Sequence, residues 1–77
     1  MPMTKRDVLY AIADKIGGER GSRLREQFGK KTPFDDALDR PISGEEFLSE
    51  LKRLESFPTT VLREKAIEEP GTWGQSN

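Results

Sequence analysis

The segment spanning residues 42–54 constrains the fold more than any other, because it combines a helix start signal with an amphipathic repeat. Ser43 lies three residues before Glu46, which is the spacing of a capping box. In that motif each side chain hydrogen-bonds to the backbone amide of the other residue. The apolar side chains that follow have helical spacing: Phe47, Leu48, Leu51 and Leu54. The pattern predicts a helix over residues 44–56.

Three further helices are predicted from start and stop signals, at residues 5–16, 22–29 and 60–69. Thr4 and Ser22 are suitable N-caps for the first two, and the glycine pair after residue 16 is a suitable end for the first. No segment alternates apolar and polar residues for long enough to predict a strand. The predicted fold is therefore all-α, a compact array of about four short helices.

A chain of 77 residues is expected to form a single domain. We predict a helical domain over residues 1–70 and a flexible tail over residues 71–77. The predicted core takes side chains from all four helices: Ile12, Phe28, Phe47, Leu51 and Leu62. Ile16 also falls on the apolar stripe of the first helix. If Phe47 is fully buried, Phe47→Ala should lower the free energy of unfolding by roughly 3–5 kcal/mol.

The chain contains neither cysteine nor histidine. The first absence removes disulfides and thiolate metal ligands, and the second removes the commonest general base and metal ligand. We therefore predict no catalytic residues, no metal and no cofactor, and we do not expect an enzyme. No stretch approaches the roughly 20 apolar residues of a membrane span. Because no targeting segment is evident either, a cytoplasmic location is expected.

The net charge of −1 conceals a separation of charge along the chain. Residues 1–31 hold eight basic and four acidic side chains, and residues 32–50 hold one basic and six acidic side chains. Residues 51–77 hold equal numbers of each. Such asymmetry can steer a charged partner. Alternatively, the two halves face each other in the fold and partly neutralise.

The main functional hypothesis is a small helical module that binds another protein, as an accessory subunit, a regulator or an inhibitor. Its interaction surface would combine a helical face with the acidic connection before the helix at 44–56. Part of that acidic charge stabilises the start of the helix, but the earlier carboxylates are too distant for this role. The predicted protein-binding residues are Asp35, Asp36, Asp39 and Glu45.

The alternative hypothesis is a nucleic-acid-binding domain. Ala13 and Gly17 have the spacing of a helix-turn-helix motif, and the helix that follows is basic. Gly18 departs from that pattern, because an apolar residue usually follows the turn glycine. Five residues, on the segment 22–31 or just before it, are predicted to contact bases or phosphates: Arg20, Arg23, Gln27, Lys30 and Lys31.

Residues 35–46 resemble an EF-hand calcium loop in length and in part of the ligand pattern. Asp35 and Asp39 match its first and fifth ligand positions. Ala37 occupies the third ligand position, and Arg40 replaces the glycine that the loop needs for its sharp turn. A capped helix after an acidic connection explains the same residues, so calcium binding is not predicted.

Overall fold

The computed structural model describes residues 3–68, apart from the side chains of residues 33–35. Helices dominate this part of the chain, which confirms the all-α prediction. The predicted tail 71–77, with Trp73, lies outside the described residues. The helices are α1 (Lys5–Ile16), α2 (Gly18–Gly29), α3 (Gly44–Glu55) and α4 (Leu62–Ile67).

Short elements connect these helices. Two 3-10 helices, Pro33–Asp39 and Thr59–Val61, precede α3 and α4 respectively. Strand β1 (Met3–Thr4) pairs antiparallel with β2 (Pro41–Ile42), an element that no sequence pattern predicted. This pairing holds the chain before α1 beside the start of α3.

The first helix begins where its cap predicts. The Asp7 amide donates to the Thr4 hydroxyl at 3.3 Å, and the Thr4 amide donates to the Asp7 carboxylate at 2.9 Å, so a full capping box forms. At α3 the Glu46 amide donates to the Ser43 hydroxyl at 3.1 Å. Among the described residues there is no reciprocal hydrogen bond from the Ser43 amide to the Glu46 carboxylate. The Ser43 hydroxyl alone therefore caps α3.

The predicted start of the second helix at Ser22 is wrong. Gly17 and Gly18 have φ angles of 67° and 63°, in the left-handed region that glycine adopts without penalty. These two residues reverse the chain so sharply that α2 begins at Gly18 and Ser22 lies inside it. At the other end of the chain the predicted helix 60–69 is shorter, because its start is a 3-10 turn.

Helices α1 and α2 form an antiparallel pair. Gly21, near the start of α2, lies against Ala13 near the end of α1. Phe28, at the other end of α2, accepts a hydrogen bond on its carbonyl from Arg6 in the first turn of α1. Helix α1 also packs against α3, whereas α2 and α3 do not pack extensively against each other. Helix α1 belongs to the basic segment 1–31 and packs directly against α3, and Arg6 pairs with Asp39, so the basic and acidic segments neutralise each other in part.

The core only partly matches the predicted set. Ile12, Phe28 and Leu62 are buried, whereas Phe47 and Leu51 are half-buried. Ile16 and Leu48 are 40% and 60% exposed, which contradicts their placement on the buried stripes. The remaining interior is apolar and comes from every helix: Val8, Leu9, Ala13, Leu24, Leu38, Leu54 and Ala66.

The orientation of α3 explains these differences. Glu50 is buried because its carboxylate pairs with Arg53 at 2.6 Å, and Arg53 also donates to the Lys65 carbonyl of α4 at 2.8 Å. Glu50 and Leu54 lie one turn apart, so they face the core together. Leu48 consequently turns outward.

Phe47→Ala is expected to lower the free energy of unfolding by about 1–2 kcal/mol, because only part of the side-chain area leaves water on folding. Urea denaturation monitored by circular dichroism measures this change. A loss above about 3 kcal/mol would show that Phe47 is a full core residue.

Candidate functional site

Helix α3 presents an exposed apolar surface near its N-terminus. Leu48 is 60% exposed and Met3 is 39% exposed. Met3 reaches α3 through the β1–β2 pairing, and its terminal methyl lies 3.8 Å from where a Cβ on Gly44 would stand. Gly44 and Leu48 are one helical turn apart, so Met3 and Leu48 adjoin the same face.

Two charged side chains border this surface. Glu45 precedes Leu48 by three residues and Lys52 follows it by four, so both lie next to Leu48 on the helix surface. Both are exposed, and neither forms an ion pair with a residue of the described part of the chain. The resulting surface is termed the α3 face: Met3, Gly44, Glu45, Leu48 and Lys52.

Sequence reasoning missed most of the α3 face. It placed Leu48 on the apolar stripe of the helix and gave no role to Met3 or Lys52. The local pattern did not distinguish Leu48 from buried positions, because adjacent helical residues can both be buried, as Val8 and Leu9 are in α1. The approach of Met3 depends on a pairing between distant segments, for which the sequence carries no comparable pattern.

The predicted acidic residues whose side chains are described differ in their contacts. Asp39 forms a two-point ion pair with Arg6, with Nε–Oδ1 at 2.9 Å and Nη2–Oδ2 at 3.3 Å. The hydrogen bond from Arg6 lowers the pKa of Asp39 below its ordinary value of 3.8. Asp36 and Glu45 are exposed, and the side chain of Asp35 lies outside the described residues. Asp39 is therefore already engaged within the fold.

The segment that resembles an EF-hand loop does not form one continuous loop. The 3-10 helix Pro33–Asp39, strand β2 and the first turn of α3 divide it. Within residues 3–68, no group of three or more carboxylates is arranged to hold a metal ion.

The residues predicted to contact nucleic acid all lie on the surface of the fold. On the helical wheel of α2, Arg20, Arg23 and Gln27 occupy an arc that contains no acidic residue, while Glu19 and Glu26 project from the neighbouring arc. This surface, together with the two non-helical residues that follow α2, is termed the basic strip: Arg20, Arg23, Gln27, Lys30 and Lys31.

The basic strip runs along the seam between α2 and the C-terminal elements. Arg20 donates to the Thr59 hydroxyl at 3.0 Å. Arg63 of α4 donates to the backbone carbonyls of Gln27 and Lys30, the latter at 3.3 Å. Helix α4 therefore flanks the strip along its C-terminal half.

The α1–α2 pair differs from a helix-turn-helix motif. Such motifs join two helices at about 90–120° through a turn of about 3–4 residues. Here Gly17 alone separates the helices, and their contacts run antiparallel along their lengths. Helix α2 is consequently not presented as a recognition helix.

A groove of about 290 Å³ lies between the C-terminal ends of α1 and α3 and the start of α4. Its apolar lining comes from five side chains: Ile12, Ile16, Leu54, Phe57 and Leu62. Lys15 and Glu55 pair at 2.6 Å beside it. Because these two charges satisfy each other, the groove offers less electrostatic preference than the α3 face or the basic strip.

The α3 face and the basic strip each carry exposed charge that forms no ion pair within the described residues, at Glu45 and Lys52 and at Lys30. Within residues 3–68, no helix has both the length and the apolar character that a membrane crossing requires. Comparison with family models, with curated proteins and with solved structures finds no match to this chain.

Proposed function

We propose that the protein is a non-catalytic module that binds another protein through the α3 face. The exposure of Leu48 carries this proposal. The other six leucines of the chain are buried or half-buried, whereas Leu48 is 60% exposed. A single exposed leucine is ordinary, but Leu48 adjoins an exposed Met3 and a charged border. An apolar centre with a polar rim is the usual anatomy of a protein interface.

The charges of the α3 face define the chemistry of the partner. An apolar side chain of the partner would contact Leu48 and Met3. A cation would lie opposite Glu45 and an anion opposite Lys52, because these two charges are unpaired within the described residues. An amphipathic helix with lysines at one end and glutamates at the other provides this pattern.

A labelled helical peptide of that design tests the proposal by fluorescence anisotropy. Leu48→Ala is expected to weaken binding by roughly tenfold or more, as loss of a central apolar anchor does. Ile16→Ala is the matched control, because Ile16 is another exposed aliphatic side chain, 40% exposed at the groove. This control should bind like the wild-type protein.

Two results would contradict the proposal. The wild-type protein could show no saturable binding of the peptide, which would reject the proposed partner chemistry. Ile16→Ala could weaken binding while Leu48→Ala leaves it unchanged, which would move the interface to the groove.

A further inference from the structure

We infer that the basic strip binds the phosphate backbone of double-stranded nucleic acid without reading its bases. This surface is separate from the α3 face, so the inference does not rest on the proposed protein-binding function. From Arg20 to the end of α2 at Gly29 the strip extends for about 14 Å at 1.5 Å per residue, and Lys30 and Lys31 continue it in non-helical backbone. Four cationic side chains over that length are suited to several successive phosphates.

The positive charge of the strip is largely uncompensated within the described residues. Arg20 contacts only a neutral hydroxyl, at 3.0 Å. Lys30 has no ion pair with a described residue. Arg23 pairs with Glu19 at 3.3 Å, but both side chains are highly exposed, and such pairs contribute little. By contrast, Arg25 lies outside the strip and is held by Asp14 at 3.0 Å.

Within the described residues, no carboxylate of residues 32–50 forms an ion pair with the strip. Three of these carboxylates lie on α3, which does not pack extensively against α2: Glu45, Glu46 and Glu50. Lys31 acts electrostatically on Asp39, which is paired with Arg6. Lys30 is therefore the cleaner position at which to test the surface.

The surroundings of the strip favour duplex phosphates over other forms of nucleic acid contact. Proteins that bind single strands stack bases on exposed aromatic rings. Phe28 is buried, and the Arg25 guanidinium covers Tyr10 at 4.8 Å from the ring centre. Helix α4 flanks the strip, so α2 does not stand clear enough to enter a major groove. Phosphate contacts alone carry no base specificity.

Fluorescence anisotropy with two labelled duplexes of unrelated sequence tests the inference across a series of salt concentrations. Both duplexes should bind equally well. The slope of the logarithm of the association constant against the logarithm of the salt concentration should be about −3, as expected for three or four phosphate contacts. Lys30→Gln should make that slope shallower by about 0.9. Lys52→Gln is the matched control, because it removes the same charge from the α3 face.

Two further measurements, duplex binding by Leu48→Ala and vesicle binding, complete the test. Leu48→Ala should bind the duplexes like the wild-type protein, which separates this inference from the proposed protein-binding function. No duplex binding at low salt, equal effects of Lys30→Gln and Lys52→Gln, or preference for one duplex would overturn the inference. Lys30-dependent binding to vesicles of phosphatidylcholine and phosphatidylserine without duplex binding would overturn it in favour of an anionic membrane surface.

Discussion

Gly21→Ala is expected to lower the free energy of unfolding by about 3 kcal/mol and the melting temperature by more than about 10 °C. Gly21 is buried where α2 crosses the end of α1. A Cβ at this position would stand against the backbone carbonyl oxygen of Ala13, far inside contact distance. Because the obstacle is backbone, relief requires α1 and α2 to separate. Thermal and urea denaturation measure the loss.

The control for this substitution is Gly44→Ala. Gly44 is also helical, but a Cβ there would meet only the Met3 methyl at an ordinary 3.8 Å. Alanine in a helix is intrinsically favoured over glycine by about 0.5–1 kcal/mol, so Gly44→Ala should leave stability equal or slightly higher. If Gly21→Ala proved as stable as Gly44→Ala, the close approach of α1 and α2 would be incorrect.

Asp39→Ala is expected to lower the free energy of unfolding by about 2–3 kcal/mol. The substitution removes both hydrogen bonds that Arg6 makes to the carboxylate, and a hydrogen bond to a charged group contributes about 1.5–3 kcal/mol. The Arg6 side chain is buried, whereas that of Asp39 is 41% exposed. Solvation of the exposed carboxylate keeps the expected loss below that of a fully buried pair. Asp36→Ala, an exposed carboxylate on the same 3-10 helix, should change stability by less than about 0.5 kcal/mol.

The same ion pair predicts a dependence on pH. Arg6 holds the pKa of Asp39 in the folded protein below its ordinary value of 3.8. A depressed folded pKa contributes stability that is fully present above the unfolded value and is lost as pH falls through the folded value. The difference in stability between the wild-type protein and Asp39→Asn should therefore be constant near neutral pH and shrink below about pH 4. A difference that grew on acidification would contradict the pairing.

Local chemistry explains why the helices could be predicted from the sequence. The Thr4 cap and the glycines after Ile16 act within a few residues, so the bounds of α1 follow from neighbouring positions alone. The start of α3 after Ser43 likewise follows from neighbouring residues alone. The start of α2 was predicted wrongly because two successive left-handed glycines are a conformational choice that the sequence permits but does not dictate.

The exposure and pairing of the surface residues depend on contacts between residues that are distant in the sequence. Arg6 and Asp39 are 33 positions apart, so the engagement of Asp39 could not be read from its acidic neighbours. Glu50 faces the core and pairs with the half-buried Arg53, and Leu48 lies on the exposed side of α3, whereas a hydrophobic pattern alone favours the opposite placement. The exposed positions of Arg20, Arg23 and Gln27 in the basic strip, by contrast, follow directly from helical periodicity.

The most direct test of the account is a pair of ¹⁵N NMR titrations of the full chain, one with the amphipathic peptide and one with a duplex. The central claim is that α1 separates two binding surfaces of different chemistry. The peptide should shift the amides of Met3 and of residues 44–52. The duplex should shift amides of residues 20–31 and leave the first set in place. Responses to both ligands at one common set of amides, or peptide shifts confined to the groove, would contradict the account.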